Sequence, residues 1–408
     1  MVDKVDQNAM RDVNRKLMLQ ALFNATQTSR SEIADRIALH KSTVTAIYRD
    51  IEELGYIEEL GEGEVSKAGG RKPKLIRFNR QYGYIVSFDL GRHHLRYLVA
   101  RVTGETLMRG ELSVIGMQYR DIKRAILAYV AQLGNLGTAR GLVGIGLAIH
   151  GVVEHNQVRY TPFHQELLEH DIAAELTTAL DVPVFLENEA NLAAVYLRDF
   201  HDYDSHETYH DFVTVNIHNG IGAGIIQNDR LFRGLHGAAG EIGRQVVMGK
   251  GQVPQDNQSA IVHLEDLYAE DAMLTRLAQQ KGVSDTLVRD DFVAYYEAGD
   301  PVARELMTEW VQAISRMIYN LAQYAAPEAI FVHSRLIAET SGLLELLLQA
   351  YEDIQPQAQT PIFFAKKSVN KATLSGGVAM VTRNLFELTG YDLQFTLLEE
   401  DALETVNN

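Results

Sequence analysis

Residues 29–49 read Ser-Arg-Ser-Glu-Ile-Ala-Asp-Arg-Ile-Ala-Leu-His-Lys-Ser-Thr-Val-Thr-Ala-Ile-Tyr-Arg. Ser29 and Glu32 have the spacing of a capping box, which predicts that a short helix begins here. A turn over residues 38–40 follows, and a second helix is expected to begin near Lys41. Its apolar side chains recur with the spacing of one buried helical face at Val44, Ile47, Ile51 and Leu54. The pattern predicts a helix-turn-helix that enters DNA.

The face opposite this apolar stripe carries short polar and cationic side chains, which suit the major groove. The residues predicted to contact DNA there are Lys41, Ser42, Thr43, Thr45 and Arg49. Strands near 56–60 and 74–78, joined by a Gly-rich tip, predict a wing. Arg71 and Lys72 at this tip are candidates for a minor groove. A small helical domain that binds a protein is the alternative interpretation.

The charge of the chain is unevenly distributed. Residues 1–80 hold 14 Lys and Arg against 12 Asp and Glu, whereas the whole chain of 408 residues has a net charge of −16. The N-terminal part is therefore net positive, and the remaining residues carry all of the negative excess. Six cations and no acid fall within residues 66–80. This distribution favours phosphate contacts by the N-terminal part alone.

Composition excludes several other classes of protein. The chain has no Cys, which excludes disulfides and thiolate metal sites and is typical of a reducing cytoplasm. No apolar run reaches the length that a membrane span needs, and the first residues are polar, so we expect neither a membrane segment nor a secretion signal. His201, His206 and His210 have spacings of five and four, which predict a solvated loop rather than a metal site. We expect no cofactor.

From Tyr82 onward, apolar strands alternate with helices, which predicts an α/β body. Within it, five motifs resemble those of the ROK family, which joins bacterial sugar kinases to sugar-responsive repressors. They are Asp89-Leu-Gly91, Glu187-Asn-Glu-Ala-Asn191, Gly220-Ile-Gly-Ala-Gly224, Gly237-Ala-Ala-Gly-Glu-Ile-Gly243 and Ser375-Gly-Gly-Val-Ala379. The Asn-Glu-Ala-Asn form is most similar to the xylose-repressor branch of the family.

The resemblance implies a domain organisation. A winged helix-turn-helix DNA-binding domain is expected over residues 1–80, followed by a two-lobed, actin-like (ribonuclease H-like ATPase) body. The first α/β lobe would cover residues 81–195 and the second residues 196–408, with a C-terminal helix that could return to the first lobe. In such a body the sugar lies in the cleft between the lobes.

The resemblance also implies sugar-binding residues: Gly151, Asn188, Glu189, Gly220, Glu241, Arg244 and Glu265. Carboxylates and a carboxamide together can accept from and donate to neighbouring sugar hydroxyls. Arg244 replaces a His that holds zinc in many relatives, and the other zinc ligands there are Cys. Because this chain has no Cys, we expect no zinc.

Three turns that would meet a nucleotide phosphate in the kinases are altered here. They read Asp89-Leu-Gly91-Arg92-His93, His218-Asn219-Gly220 and Val332-His333-Ser334. The position of the catalytic base is Glu189 rather than Asp, and a displacement of about 1 Å can cost roughly 100-fold in rate. The sequence therefore predicts a body that binds sugar but has lost phosphoryl transfer, with no catalytic residue.

These features predict a sugar-responsive repressor of a carbohydrate-utilisation operon. It would bind double-stranded operator DNA as a homodimer or tetramer. One alternative is an ATP-dependent sugar kinase with an appended DNA-binding domain. Another is a regulator that responds to a partner protein or to a phosphorylated sugar, whose anion could be held by Arg92, His93 or Arg244.

Overall fold

The computed structural model describes residues 5–63, 72–201, 207–247, 261–283, 287–354, 360–365 and 369–395. The chain forms two compact units. Unit 1 comprises Met1–Glu189 together with Leu374–Asn408, and unit 2 comprises Ala190–Thr373. The chain therefore passes from one unit to the other twice. Within the described ranges, no helix has both the length and the apolar character that crossing a membrane requires.

Unit 1 begins with three helices and a small antiparallel sheet. The elements are α1 (Val5–Phe23), β1 (Thr28–Ser29), α2 (Arg30–Arg36), α3 (Lys41–Glu53), β2 (Ile57–Glu62) and β3 (Lys74–Phe78). The strand order is β1-β3-β2. Three members of the predicted apolar stripe of α3 are buried, but Leu54 is 37% exposed because it caps the end of the helix. Gly55 follows with φ +81°, the left-handed conformation expected of a glycine that ends a helix.

The start of α2 differs in part from the predicted capping box. The Ser29 hydroxyl accepts a hydrogen bond from the Glu32 amide at 3.3 Å, as expected. The Glu32 carboxylate accepts from the Thr28 hydroxyl, also at 3.3 Å. Since Thr28 and Ser29 are both buried, these bonds tie the start of α2 to strand β1.

The body of unit 1 is a five-stranded sheet flanked by helices. Its elements are β4 (Tyr84–Leu90), β5 (His94–Arg101), β6 (Thr106–Ser113), α4 (Tyr119–Ala131), β7 (Leu142–Ile149), β8 (Val152–Glu154), β9 (Gln157–Tyr160), α5 (Ile172–Leu180) and β10 (Val184–Asn188). The strand order of this sheet is β10-β7-β4-β5-β6, and β8 and β9 form a separate two-stranded sheet. Strands β10, β7 and β4 are parallel, so their carboxyl ends lie side by side at one edge of the sheet.

Unit 2 is a second sheet covered by helices. Its elements are α6 (Glu189–Phe200, which begins in unit 1), β11 (Phe212–Ile217), β12 (Ile221–Gln227), β13 (Arg230–Leu231), β14 (Val246–Val247), β15 (Val262–His263), α7 (Leu264–Tyr268), α8 (Glu270–Lys281), α9 (Arg289–Glu297), α10 (Pro301–Ala325), β16 (Ala329–Ser334), α11 (Arg335–Glu339), α12 (Leu343–Ile354) and β17 (Ile362–Phe364). The larger sheet has the order β13-β12-β11-β16-β17. Trp310 of α10 is fully buried in the core.

The last described helix, α13 (Val369–Leu385), carries the chain from unit 2 back to unit 1. It packs against β7 at two glycines. A Cβ on Gly144 would lie 2.7 Å from Val381, and a Cβ on Gly146 would lie 3.1 Å from the Gly377 carbonyl oxygen. Side chains at these two positions of β7 would push the helix away from the sheet.

Beyond α13, the chain packs against the N-terminal elements of the same unit. The ring of Phe386 lies 5.0 Å from Tyr56, 5.2 Å from Phe78 and 5.7 Å from Tyr82. We call these four residues the aromatic cluster. Arg15 and Lys16 of α1 each lie 3.2 Å from the Glu387 carboxylate at its edge. The N-terminal helices therefore pack in one core with the C-terminal segment of unit 1.

Candidate functional site

Three ionisable side chains meet at the carboxyl ends of neighbouring parallel strands in unit 1. Asp89 lies near the end of β4, His150 directly follows β7, and Glu189 directly follows β10. Open α/β sheets bind ligands at this edge, because the loops that follow the strands open a crevice there. With Arg96 of β5, these residues form what we call the His150 group.

Distances within the His150 group define a chain of opposite charges. His150 Nε2 lies 3.0 Å from Asp89 Oδ1, and His150 Nδ1 lies 3.9 Å from Glu189 Oε1. Arg96 reaches Asp89 at 3.4 Å and Glu111 at 2.9 Å. The Asp89 side chain is 4% exposed, whereas those of His150 and Glu189 are 28% and 19% exposed. The Asp89 end of this row of charges is therefore buried, whereas the Glu189 end is partly exposed to solvent.

The charges of this group support one another. Burial disfavours the charged form of His150, but the Asp89 hydrogen bond and the charges of Asp89 and Glu189 outweigh it, so the pKa of His150 lies above its ordinary 6.5. Burial likewise opposes ionisation of Asp89, yet the bond to His150 and the charge of Arg96 hold the pKa of Asp89 below its ordinary value. The pair is therefore an imidazolium and a carboxylate over a wider pH range than isolated groups would be.

A hydrogen bond joins the Asn188 side chain to the backbone of Gly151. The Asn188 side-chain amide donates to the Gly151 carbonyl oxygen at 2.6 Å, and its backbone amide donates to Glu187 at 2.9 Å. Gly151 has φ +130°, and a Cβ there would lie 2.1 Å from the Tyr160 carbonyl oxygen. Only glycine fits where the chain turns from β7 into β8.

We predict that Gly151→Ala lowers the free energy of unfolding by about 3 kcal/mol, the sum of backbone strain and overpacking against Tyr160. Urea denaturation measures the loss. Gly116→Ala is the matched control: Gly116 also has a positive φ of +72°, but nothing lies within 4 Å of its Cβ position. The control should cost only about 1 kcal/mol. Equal losses in the two variants would contradict the packing argument.

Among the sugar-binding residues predicted in unit 2, the structure brings Gly220 and Glu265 together. Glu265 Oε2 accepts a hydrogen bond from the Ile221 amide at 3.4 Å and lies 3.3 Å from the Cβ position of Gly220. A Cβ on Gly243 would lie 2.6 Å from the same oxygen. Glu241 is partly buried and Arg244 is exposed at either end of this short turn. That these residues bind sugar remains a prediction.

The altered turns occupy different environments. Arg92 and His93 are exposed in the three-residue connection between β4 and β5, which is closed by a hydrogen bond from the Gly91 amide to the His94 carbonyl oxygen at 2.9 Å. His218-Asn219-Gly220 is the turn between β11 and β12. His333 is buried in β16. Their side chains are larger than the glycines and threonines that a phosphate turn uses.

The predicted DNA-contacting residues lie on α3 and on the β2–β3 hairpin. On α3, Lys41, Ser42 and Arg49 are exposed, whereas Thr43 and Thr45 are partly buried. The Thr45 hydroxyl donates to the Lys41 carbonyl oxygen at 2.8 Å. Arg71 lies outside the described residues, and Lys72 is 56% exposed.

Strand pairing partly neutralises the basic stretch. Antiparallel pairing of β2 with β3 places Glu58 against Arg77 at 2.8 Å and Glu59 against Lys74 at 3.0 Å. Residues 66–80 contain cations and no acid, because the acids that pair with these cations lie on the preceding strand.

Of the predicted histidine loop, His206 lies outside the described residues, and His210 lies 2.8 Å from Asp229.

Comparisons with known proteins agree with this architecture. The model of the ROK family matches residues 85–384. The xylose repressor of Lactiplantibacillus pentosus is 35% identical over 96% of this chain and 98% of its own. The crystal structure of a ROK family transcriptional regulator, a homologue of the Escherichia coli MLC protein, has a TM-score of 0.74 at 20% identity, over 93% of this chain and 98% of that one. A ROK family glucokinase from Streptomyces griseus has a TM-score of 0.59 at 19% identity, over 74% of this chain and 100% of that one.

The chain belongs to the ROK family, and its predicted resemblance to the xylose-repressor branch is confirmed. The structural likenesses show the mixed α/β, sugar-kinase-like and actin-like fold. The first 84 residues lie outside the family model, whereas the repressor relative matches almost the full length of the chain.

Proposed function

We propose that this chain is a sugar-responsive, DNA-binding transcriptional repressor of a carbohydrate-utilisation operon. The observation that carries the proposal is the combination of two parts in one chain. A body with a sugar-kinase-like fold is preceded by two helices joined by a turn, and the second of these helices exposes Lys41, Ser42 and Arg49. Relatives that match nearly the whole chain are named xylose repressors, which favours xylose as the effector.

The N-terminal elements support a winged helix-turn-helix that reads DNA. Helix α3 would lie in the major groove with Lys41 and Ser42 at the end that enters first, because its opposite face is buried against α1 and α2. At the far end, Asp50 is paired with Arg11 at 2.5 Å, which offsets a charge that would repel phosphate. The β2–β3 hairpin would be the wing, with Arg71 and Lys72 near its tip. We propose that two or four copies of the chain bind a two-fold operator.

The effector would bind at the His150 group, beside Asn188 and Gly151. Helix α13 offers a route from this site to the DNA-binding elements within unit 1. It packs against Gly144 and Gly146 of β7, the strand that His150 directly follows, and it leads to Phe386 of the aromatic cluster. A ligand shifts such an equilibrium only through different affinities for the two arrangements, so the sugar must favour one position of α13.

A gel-shift titration tests the proposal. Operator fragments from the promoter region beside the gene are titrated with the full chain, with and without a panel of pentoses and hexoses that includes D-xylose. We expect at least one sugar to change operator affinity by about 10-fold or more, within the usual range of allosteric coupling. If no sugar in the panel changes it, the chain is not a sugar-responsive repressor.

The alternative function is an ATP-dependent sugar kinase, which the likeness to glucokinases favours. We infer that phosphoryl transfer has been lost, because Asp89 is held by His150 and Arg96 and bulky residues occupy the turns. We therefore predict no turnover above background in a coupled ATP assay with D-xylose or D-glucose, with a sugar kinase of known activity in the same mixture as control. Turnover that disappears in Glu189→Ala would instead support the kinase.

A further inference from the structure

The His150 ring has one edge that is fixed and one that is available. Its Nε2 edge bonds to the buried Asp89 carboxylate, which sets the orientation of the ring. Its Nδ1 edge faces Glu189 Oε1 across 3.9 Å. That separation is too long for a direct hydrogen bond, and both side chains are partly exposed.

A single hydroxyl oxygen that lies to one side of the line joining these two atoms can reach both of them. At ordinary hydrogen-bond lengths it can accept from His150 Nδ1–H and donate to the Glu189 carboxylate. Only the imidazolium allows this, because its two N–H groups then serve Asp89 and the hydroxyl. In a neutral ring whose proton is on Nε2, Nδ1 and Glu189 are both acceptors, and the hydroxyl has one proton to give.

We propose that His150 is a specificity-determining residue of the effector site, where it and Glu189 jointly hold one hydroxyl of an uncharged sugar. Asp89 is the positioning residue that fixes the His150 ring. This inference rests on the proposed function, since it assumes that the effector binds at the carboxyl ends of β4, β7 and β10.

The charges around His150 favour an uncharged ligand. Asp89 faces it from β4, Glu189 from the start of α6, and His94 and Arg96 from β5, with Glu111 of β6 on Arg96. Burial and the charge of Arg96 lower the pKa of His94, so that ring is neutral. Three carboxylates therefore surround two cations, and the added anion of a phosphorylated sugar would meet no excess positive charge.

Because His150 must be protonated to donate to the hydroxyl, binding of the sugar depends on pH. The Asp89 contact raises the pKa of His150 above 6.5, so the imidazolium and the full affinity for the sugar are present below that raised pKa. As the pH rises through it, the ring loses the Nδ1 proton and the affinity for the sugar falls. An affinity for the sugar that increases with rising pH would contradict the inference.

Isothermal titration calorimetry of the full chain tests the inference, with D-xylose, each of its monodeoxy analogues and D-xylose 5-phosphate as probes between pH 6 and 9. In the unmodified chain, one analogue should bind about 30- to 100-fold more weakly than D-xylose, because it lacks the hydroxyl that accepts from His150 Nδ1–H. His150→Gln should bind D-xylose weakly, no longer discriminate against that analogue and lose the pH dependence. Asp89→Asn should keep the discrimination but move the fall in affinity to lower pH.

His155→Gln is the matched control. His155 Nδ1 also lies 3.9 Å from a carboxylate oxygen, that of Glu154, but its side chain is 84% exposed and lies outside the His150 group. The control should reproduce the discrimination and the pH profile of the unmodified chain. If His150→Gln does so too, or if D-xylose 5-phosphate binds more tightly than D-xylose, the inference is wrong. If neither D-xylose nor any other sugar of the panel binds, the proposed function itself fails.

Discussion

Ser42→Glu should weaken operator binding by roughly 100-fold or more while leaving the fold intact. Ser42 is exposed in the first turn of α3, which contains no acidic residue. A carboxylate there would face the phosphates that flank the major groove, and like charges in an interface cost several kcal/mol. The same carboxylate interacts favourably with the amino end of the helix dipole, so the free energy of unfolding should stay the same or rise slightly.

Fluorescence anisotropy with labelled operator DNA measures this loss, and urea denaturation measures the stability. Ala174→Glu is the matched control, because Ala174 is also exposed and lies in the first turn of a helix, α5 of the body. It adds the same charge to the same kind of position, away from α3. If both variants bind the operator equally well, α3 is not the DNA-reading helix.

Local sequence patterns were enough to predict most elements. The continuous apolar run 142–149 forms strand β7, and the helical periodicity of residues 301–325 corresponds to helix α10. Both signals depend on residues close together in the chain, so no tertiary information is needed to interpret them. Two helix breaks are not evident from the sequence: Ala269 is extended between α7 and α8, and Gly342 with φ +73° precedes α12. No proline marks either break.

The site was harder to predict, because its members are distant in sequence. Glu189 and Asn188 belong to one of the five motifs, whereas His150 lies in none of them. A usable signal existed: Asp89, His150 and Glu189 each lie at or directly after the end of an apolar strand. The sequence does not show that those strands pair in parallel, because strand pairing is fixed by the tertiary structure.

Phe386→Ala should both destabilise unit 1 and weaken the response of operator binding to sugar. Phe386 is 3% exposed and touches three other aromatic rings, so its removal should lower the free energy of unfolding by about 3–5 kcal/mol. It is also the first residue after α13, the helix that packs on β7. Without this ring, movement of α13 would no longer reach Tyr56 and Phe78, so operator affinity with and without D-xylose should become nearly equal.

Loss of stability alone could also weaken a response, which is why Phe292→Ala is the matched control. Phe292 is 1% exposed in the core of unit 2, and its removal should cost a similar free energy of unfolding. The ratio of operator affinities with and without D-xylose is compared below the melting temperature of both variants. We expect Phe292→Ala to keep the ratio of the unmodified chain. If Phe386→Ala keeps it as well, the signal does not pass through the aromatic cluster, even though α13 connects β7 to it.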